Sequence, residues 1–520
     1  MNRNRIVLPQ LLLVLAVCAF FFFFGLGAFG LVGADEPRYA QVAREMLARH
    51  DWIVPTLNGH PWLEKPVLLY WLEMLAYSVF GVHGWAARVP SAALATALAV
   101  AAFFFMRRFR PGSEMDAAFI MASFAAMIGF GRGASTDMPL TAPFSAAMLA
   151  WWAWHETGNR LALAGFYACL AVGALAKGPI APGLAVLIVA AYSFLRRDGK
   201  IFLRSLWLPG FALFFVIVLP WYVAVQLRVP QFFHEFFLRQ NLERFSTNLY
   251  QHKQPFWYYV PVFLLAVLPW IVFTLPALGH ASRAGLRRLR GGASDWQPDA
   301  QEDWLALFLW LWLLIPIVFF SISQSKLPGY ILPAVPAAAL LTALDIHRRQ
   351  AIARVKLALH ALVCGGVLAA VLLAPWSLMR QPVAPAARII IPILAGVMAV
   401  IVLVAVRSSG TGALRFATLV PLVLGLGFLL RGVAPAIDGT QSARPLAAEL
   451  VHLGVGGRES VAVFNVKREA EYGLNFYLNQ PILRYERDGV PAQAHIVIVK
   501  AGSAGALQAL LGDRKAVSVA

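Results

Sequence analysis

Residues 33–73 read GADEPRYAQVAREMLARHDWIVPTLNGHPWLEKPVLLYWLE, the longest charged run between apolar segments of the chain. The run opens on the acidic pair Asp35-Glu36 directly after a membrane-length apolar segment, with Arg38 and Tyr39 behind it. Glu64 and Lys65 follow at the mouth of an aromatic stretch containing Tyr70 and Trp71. Acids and bases at the edge of a bilayer are costly unless they face water, one another or a ligand. A run of this kind between apolar segments predicts an outer loop of a membrane protein that carries chemistry. The bland alternative is a solvated loop with surface ion pairs.

Composition fixes the class. The 520 residues are 60% hydrophobic and only 13% charged, with mean hydropathy +0.67. Soluble domains carry about 25% charged residues, so the chain is expected to be an all-α polytopic membrane protein. Lys+Arg 44 against Asp+Glu 26 gives a net charge of +18. In a soluble protein that excess would raise the question of nucleic acid. Here much of it lies in short loops at membrane ends, where a basic bias sets topology, and no nucleic-acid partner is expected. Cys18, Cys169 and Cys364 all sit within apolar stretches and show neither pairing nor metal spacing. The N-terminal MNRNR followed by an apolar run to about Val32 imitates a signal peptide. Its apolar stretch is too long for an h-region, and the small-x-small triplet Ala28-Phe29-Gly30 lies inside that stretch, which predicts an uncleaved first span.

Apolar runs of roughly membrane length fall near 7–32, 86–106, 115–131, 138–154, 161–176, 178–195, 206–226, 258–279, 304–321, 328–346, 355–375, 388–406 and 414–431, about thirteen in all. With the N-terminus in the cytoplasm, alternation puts Arg107-Arg108-Phe109-Arg110, Arg196-Arg197, Arg283 with Arg287-Arg288, His347-Arg348-Arg349, and Arg407 with Arg415 on the cytoplasmic side. That is the positive-inside pattern, loop after loop. The same alternation gathers the remaining polar loops on the opposite face: 35–65, 131–137, 176–179, 227–257 and 325–330. Otherwise apolar loops that each keep an Asp or Lys on one face predict a site at the outer membrane surface. The 280–303 segment reads as a cytoplasmic linker.

The composition changes after Leu430. Residues 432–520 contain no span and alternate helical runs (446–452, 470–477, 504–511) with strand-like ones (460–466, 481–485, 495–499), which predicts a small α/β domain on the outer side. The expected organisation is therefore a transmembrane domain over 1–431, with the first outer loop at 33–85, followed by an extracytoplasmic α/β domain over 432–520.

The sequence holds no Walker A loop, HExxH, CxxC, GxSxG or DxD pair. Without a DxD pair, use of a nucleotide sugar has no evident metal site. Two outside carboxylates near apolar spans remain, Asp35 and Asp137, together with bases able to hold phosphate: Arg38, Lys65, Lys177 and Lys326. Lysine binds phosphate as a point charge and arginine as a fork. Tyr39, Trp62, Pro66, Tyr70, Trp257, Tyr258, Tyr259 and Tyr330 shape an interfacial cleft or form an aromatic belt. Lys177 and Lys326 also suit a role as interfacial anchors. Asp137, just before Pro139, also suits a helix cap.

At these residues the chain resembles a known family. DEPRYA (35–40), NGHPWLEKP (58–66), STDMP (135–139), AKGP (176–179), RF…HKQPFWYY (244–259) and KLPGYILP (326–333) occur in order across more than half of the chain. Together they resemble the polyprenyl-phosphate-sugar-dependent GT-C glycosyltransferases of the protein O-mannosyltransferase superfamily, and most of all the bacterial lipid A 4-amino-4-deoxy-L-arabinose transferases. The resemblance implies about thirteen transmembrane helices, amphipathic helices at the outer surface and a C-terminal outer domain. It implies an inner-membrane enzyme that moves a sugar with inversion from undecaprenyl phosphate to lipid A phosphate on the periplasmic side. Asp35 would be the central catalytic carboxylate and Asp137 the second essential acid. Lys65, Lys177 and Arg38 would grip the carrier phosphate, while Tyr39, Tyr330 and Lys326 would line the donor pocket. Glu64 and His252 would approach one another. No cofactor is certain. A divalent metal between those two is the one the resemblance leaves room for, against the lack of a recognised metal-site spacing. The nearest alternative keeps the chemistry and changes the substrates, with mannose, galacturonate or another hexose moved to protein, core oligosaccharide or another glycan. An alternative of another class is a lipid-linked sugar transporter, which would require paired polar positions within the spans and access from both faces.

Overall fold

The computed structural model describes residues 7–243, 254–290, 301–349, 352–379, 410–455 and 460–512, with a few single positions between and after them. Among these, seven helices are long and apolar enough to cross a membrane, from Gly84–Phe109 to Thr411–Gln441. An eighth is counted if Glu114–Ser123 and Ala125–Gly131, bent by 62° at their junction, form one span. In hydrocarbon every backbone N–H and C=O must be satisfied within the segment, and long apolar runs achieve this as helices. The all-α membrane class is thus as expected. Among the described residues these are fewer than the thirteen apolar runs of the sequence, for local reasons. The first run ends as a helix at Phe23 rather than near Val32, because Gly25 takes a left-handed φ of +67°. The 258–279 run is split into Tyr259–Ala266 and Ile271–Arg290. That second helix also converts half of the expected 280–303 linker into helix. The 388–406 run lies mostly outside the described residues.

The chain divides into two compact units. One comprises 1–24, 63–69 and 88–429; the other comprises 25–62, 70–87 and 430–520.

In the first unit, the 21-residue helix Asp137–Thr157 and the 18-residue helix Arg160–Lys177 form an antiparallel hairpin. Gly158, at φ +67°, stops the first helix and Asn159 starts the second by accepting from the Leu161 N–H. Rising 1.5 Å per residue, the two arms are each about 30 Å long. The first residue of the hairpin and its last therefore return to one end. At the far end, Trp151 and Trp152 are fully buried and their rings lie 5.1 Å from that of Phe308, with Trp151 Nε1 donating to Ser205 Oγ at 2.9 Å.

The second unit contains the α/β segment. β3 (Val461–Phe464) pairs in parallel with β4 (Ile482–Arg484) on one side and β5 (Ile496–Val499) on the other. Val461 and Val463 pack with Leu450 and Leu474 from helices Arg444–His452 and Arg468–Leu478. Ala462 and Phe464 pack with Leu507 of helix Ala504–Leu511. The strand alternates between two covered faces, as a parallel sheet requires. The three strands and three helices expected from the sequence are all present.

The same unit holds most of the expected first outer loop. Helix Asp35–Ala48 is followed by β1 (Thr56–Leu57) and β2 (His60–Pro61). Asn58 and Gly59 join the two strands with φ of +55° and +77°, the backbone that an Asn-Gly hairpin turn demands. The Glu45 carboxylate accepts from Thr56 Oγ1 and the Asn58 and Gly59 N–H groups at 2.7–3.1 Å, which ties hairpin to helix.

Candidate active site

The hairpin of the first unit sets an acid beside a base. Asp137, at the start of one arm, and Lys177, at the end of the other, meet with Lys177 Nζ donating to Asp137 Oδ1 at 2.5 Å. The side chains are 17% and 15% exposed, so solvent screens the pair far less than a surface pair. Gly178, at φ +73°, ends the helix directly after Lys177 and Pro179 opens the next, Ile180–Arg196. This is the physical content of the AKGP motif. Asp137 does not cap its helix with its carboxylate, which goes to Lys177; the residue at the cap position is Thr136.

The KLPGY segment closes over the pair. A Cβ on Gly329 would lie 2.7 Å from Asp137 Cγ and Oδ2, so only glycine leaves room for the carboxylate. Tyr330, next in the chain, lies with its ring 5.3 Å from Lys177 Nζ and 5.1 Å from the ring of Phe320.

A cavity of about 680 Å³ opens at this point, lined by Glu64, Lys65, Lys177, Tyr330, Gln240, Ser323 and Ser325 among its polar residues. Its remaining wall is apolar, with Leu140, Ile180, Leu184, Val186, Leu187, Phe236, Phe319 and Phe320. The volume is in the range of small-molecule sites. A second cavity of about 500 Å³ shares Pro179 and Pro182 with the first and is lined almost wholly by apolar side chains such as Phe214, Val218, Phe232 and Phe237. Two lysines in the wall of an apolar trough can hold a phosphate whose substituent is hydrocarbon. Lys326 is 6% exposed and its Nζ donates to the Ser323 carbonyl at 2.5 Å; the cavity wall in that turn is made by Ser323 and Ser325.

The second unit carries the other candidates. Asp35 is the first residue of its helix, where a negative charge suits the helix dipole. Its side chain is 58% exposed, and Arg38 Nη2 donates to Asp35 Oδ1 at 2.6 Å from one turn on. The Arg38 side chain is only 11% exposed. Its guanidinium lies over the rings of Trp62, Tyr39 and Tyr472 at 4.9, 5.2 and 5.5 Å. Three aromatic faces thus hold the fork toward the acid. Tyr39 is buried, with its ring 6.2 Å from that of Tyr70, and acts from beneath Arg38. Beside them Glu36 is buried and accepts from the Val32 N–H at 2.8 Å. Glu73 is fully buried, and neither of its carboxyl oxygens has a hydrogen-bond partner among the described residues. Burial, reinforced by the Glu36 carboxylate, pushes the Glu73 carboxyl well above the usual range.

The structure thus groups Glu64, Lys65, Asp137, Lys177 and Tyr330 in one unit and Asp35, Arg38 and Tyr39 in the other. His252 lies outside the described residues. Among those described, no group of three or more His, Cys, Asp and Glu side chains is placed to hold a metal ion. Sequence reading passed over Ser323, Ser325, Gln240 and Tyr472. None belongs to a charged motif, and three of them come together only through tertiary packing around the cavity.

Comparison with known proteins places the chain in a family. The family model described as dolichyl-phosphate-mannose-protein mannosyltransferase matches residues 7–236. The undecaprenyl phosphate-alpha-4-amino-4-deoxy-L-arabinose arabinosyl transferase of Serratia proteamaculans is 32% identical over 485 residues, covering 85% of this chain and 83% of that protein. Its namesake in Erwinia tasmaniensis is 29% identical over 480 residues with the same coverage. The crystal structure of ArnT from Cupriavidus metallidurans bound to undecaprenyl phosphate superposes with a TM-score of 0.73 over 91% of this chain and 85% of that one. At 23% identity that likeness shows the fold. With a fold of this kind and 32% identity along most of a relative's length, the chain belongs to the undecaprenyl phosphate-4-amino-4-deoxy-L-arabinose arabinosyl transferases, multi-pass membrane glycosyltransferases of the GT-C type.

Proposed function

We propose that this enzyme transfers 4-amino-4-deoxy-L-arabinose from undecaprenyl phosphate to a lipid A phosphate, with inversion, on the periplasmic face of a bacterial inner membrane. The observation that carries the reading is the cavity of the first unit, which joins the ammonium groups of Lys65 and Lys177 to an apolar wall. That combination suits a phosphate on an isoprenoid chain. The names of the relatives support the sugar, and the basic loops on the opposite face support the orientation.

In this reading an oxygen of the acceptor phosphate attacks the anomeric carbon of the sugar while the bond to the carrier phosphate breaks. The electron pair leaves with the undecaprenyl phosphate, whose added charge Lys65, Lys177 and Arg38 offset. A phosphate monoester is already largely ionised at neutral pH, so no proton need be removed from the nucleophile. Asp35 then serves by orienting the sugar and by stabilising the positive charge that develops on its ring. Asp137 holds Lys177 in place and adds a second negative charge. Tyr330 packs under the Lys177 ammonium, and Glu64 in the cavity wall suits the amino group of the sugar. Were the acceptor a hydroxyl of protein or of another glycan, Asp35 would instead act as a general base.

Mass spectrometry of lipid A from a strain lacking the gene, from wild type and from an Asp35→Asn complement tests both parts. An adduct of aminoarabinose mass in wild type alone is the expected result. Identical lipid A in all three would move the search to other surface glycans. An adduct restored by Asp35→Asn would remove Asp35 from the chemistry.

A further inference from the structure

Ser325 carries a hydroxyl that no described residue engages. It lies in the short turn between helix Gln301–Ile322 and the 3-10 turn Pro328–Ala334. The residue is only 2% exposed, yet it lines the same cavity as Glu64, Lys65 and Lys177. Its Oγ has no hydrogen-bond partner among the described residues. The rest of the turn is pinned. Ser323 Oγ donates to the Ser325 carbonyl at 3.1 Å, and Lys326 Nζ donates to the Ser323 carbonyl at 2.5 Å. Buried hydroxyls are nearly always hydrogen-bonded, and one left without a partner costs more than a made hydrogen bond returns. Alanine at this place would avoid that cost with almost the same volume. A serine here makes physical sense when its partner arrives with a ligand.

The chemistry of the cavity indicates which part of the ligand that is. Lys65 and Lys177 answer the charge of a phosphate, and the side chains of Leu184, Val186 and Phe319 answer a hydrocarbon chain. A neutral hydroxyl adds little to a phosphate already facing two ammonium groups. A sugar hydroxyl, in contrast, both donates and accepts, as serine Oγ does. Building on the donor reading given above, we propose that Ser325 Oγ hydrogen-bonds a hydroxyl of the sugar carried on the polyprenyl phosphate and so helps to select the donor. A buried group that pairs with a substrate hydroxyl discriminates against analogues that lack it, because it is otherwise left unpaired.

The test uses purified full-length protein, wild type and Ser325→Ala, with two probes: undecaprenyl phosphate, and undecaprenyl phosphate bearing 4-amino-4-deoxy-L-arabinose. The expected result is equal affinity of both proteins for the bare lipid and a roughly tenfold loss for the sugar-bearing lipid in the variant, the scale of one neutral hydrogen bond. The unfolding temperature of the unliganded variant should not fall, since the hydroxyl has no partner to lose among the described residues. Equal loss for both lipids would assign the hydroxyl to the phosphate and overturn the proposal. No loss for either lipid, or a fall in unfolding temperature without selective loss, would overturn it as well. A wild-type protein that binds neither lipid would overturn the donor reading and the sugar contact with it. A wild type that binds both, beside a variant that keeps the sugar-bearing lipid, would overturn the sugar contact alone.

Discussion

At the scale of single residues, the Asp137–Lys177 pair separates stability from function. Breaking a largely buried pair by removing one partner leaves an uncompensated charge and costs about 3–5 kcal/mol, whereas removing both charges is often close to neutral. Lys177→Met alone is therefore expected to lower the unfolding temperature markedly, and adding Asp137→Asn should recover most of that loss. Turnover should be lost in all variants, since the role proposed for the lysine is to hold the leaving phosphate. Thermal unfolding and sugar transfer, measured on the two single variants and the double, check both halves. A double variant that regained activity would show the pair to be structural only. Gly329 belongs to the same scale. In the KLPGYILP motif the glycine is needed because the Asp137 carboxylate occupies the space that a Cβ would take, a reason invisible in the spacing of the motif.

Among the elements, helix Leu68–Phe80 is the one that a change of pH should expose. Its 13 residues are too few to cross a bilayer, and it buries Glu73 near Glu36. The folded protein keeps a proton on Glu73, its carboxyl raised by burial and then by the Glu36 carboxylate, that the unfolded chain releases above the ordinary glutamate range. Above that range the unfolded state binds fewer protons than the native one, so stability falls as pH rises, by at most about 1.4 kcal/mol per pH unit. Glu73→Gln keeps the neutral shape without the titration. It is expected to match wild type at acidic pH and to exceed it in the neutral and alkaline range, as read by unfolding temperature against pH. Parallel curves for the two proteins would mean that Glu73 does not hold its proton. The Asn58-Gly59 turn is a second element-scale feature: local backbone chemistry forms it, and the Glu45 carboxylate fixes the NGHPW motif against its helix.

On the scale of the whole molecule, the second compact unit is discontinuous in sequence. The Gly30 N–H donates to Asp438, the Leu31 N–H to the Tyr477 hydroxyl, and Arg44 to the Phe476 carbonyl, at 2.6–2.8 Å. Arg38 also lies over the Tyr472 ring. Removing residues 432–520 would strip these partners, Tyr472 among them, from residues 25–62 while leaving every site residue expected from the sequence in the chain. The truncated protein is expected to lose transfer activity and to become cleavable by added protease within residues 25–62. Unchanged protection and activity would show that the loop holds its own shape.

The sequence alone determined the membrane class, the helical fold, the strands and helices of the C-terminal segment and the charged motifs. These follow from local properties: apolar run length, period-2 alternation, and acids and bases kept at the ends of apolar runs. It also made Lys177 and Asp137 candidates, without showing that a hairpin of two nearly equal arms brings them into contact. Span boundaries were less legible, since Gly25 and the break after Ala266 interrupt runs that stay apolar throughout. Only the tertiary structure decided that 25–62 and 70–87 pack with 430–520, that the Arg38 guanidinium is held by three aromatic rings, and that Ser325, whose buried hydroxyl has no partner among the described residues, stands in the cavity wall. Those outcomes depend on contacts between residues far apart in the chain, and such contacts are set by packing and by the need to satisfy buried polar groups, neither of which leaves a periodic signal in sequence.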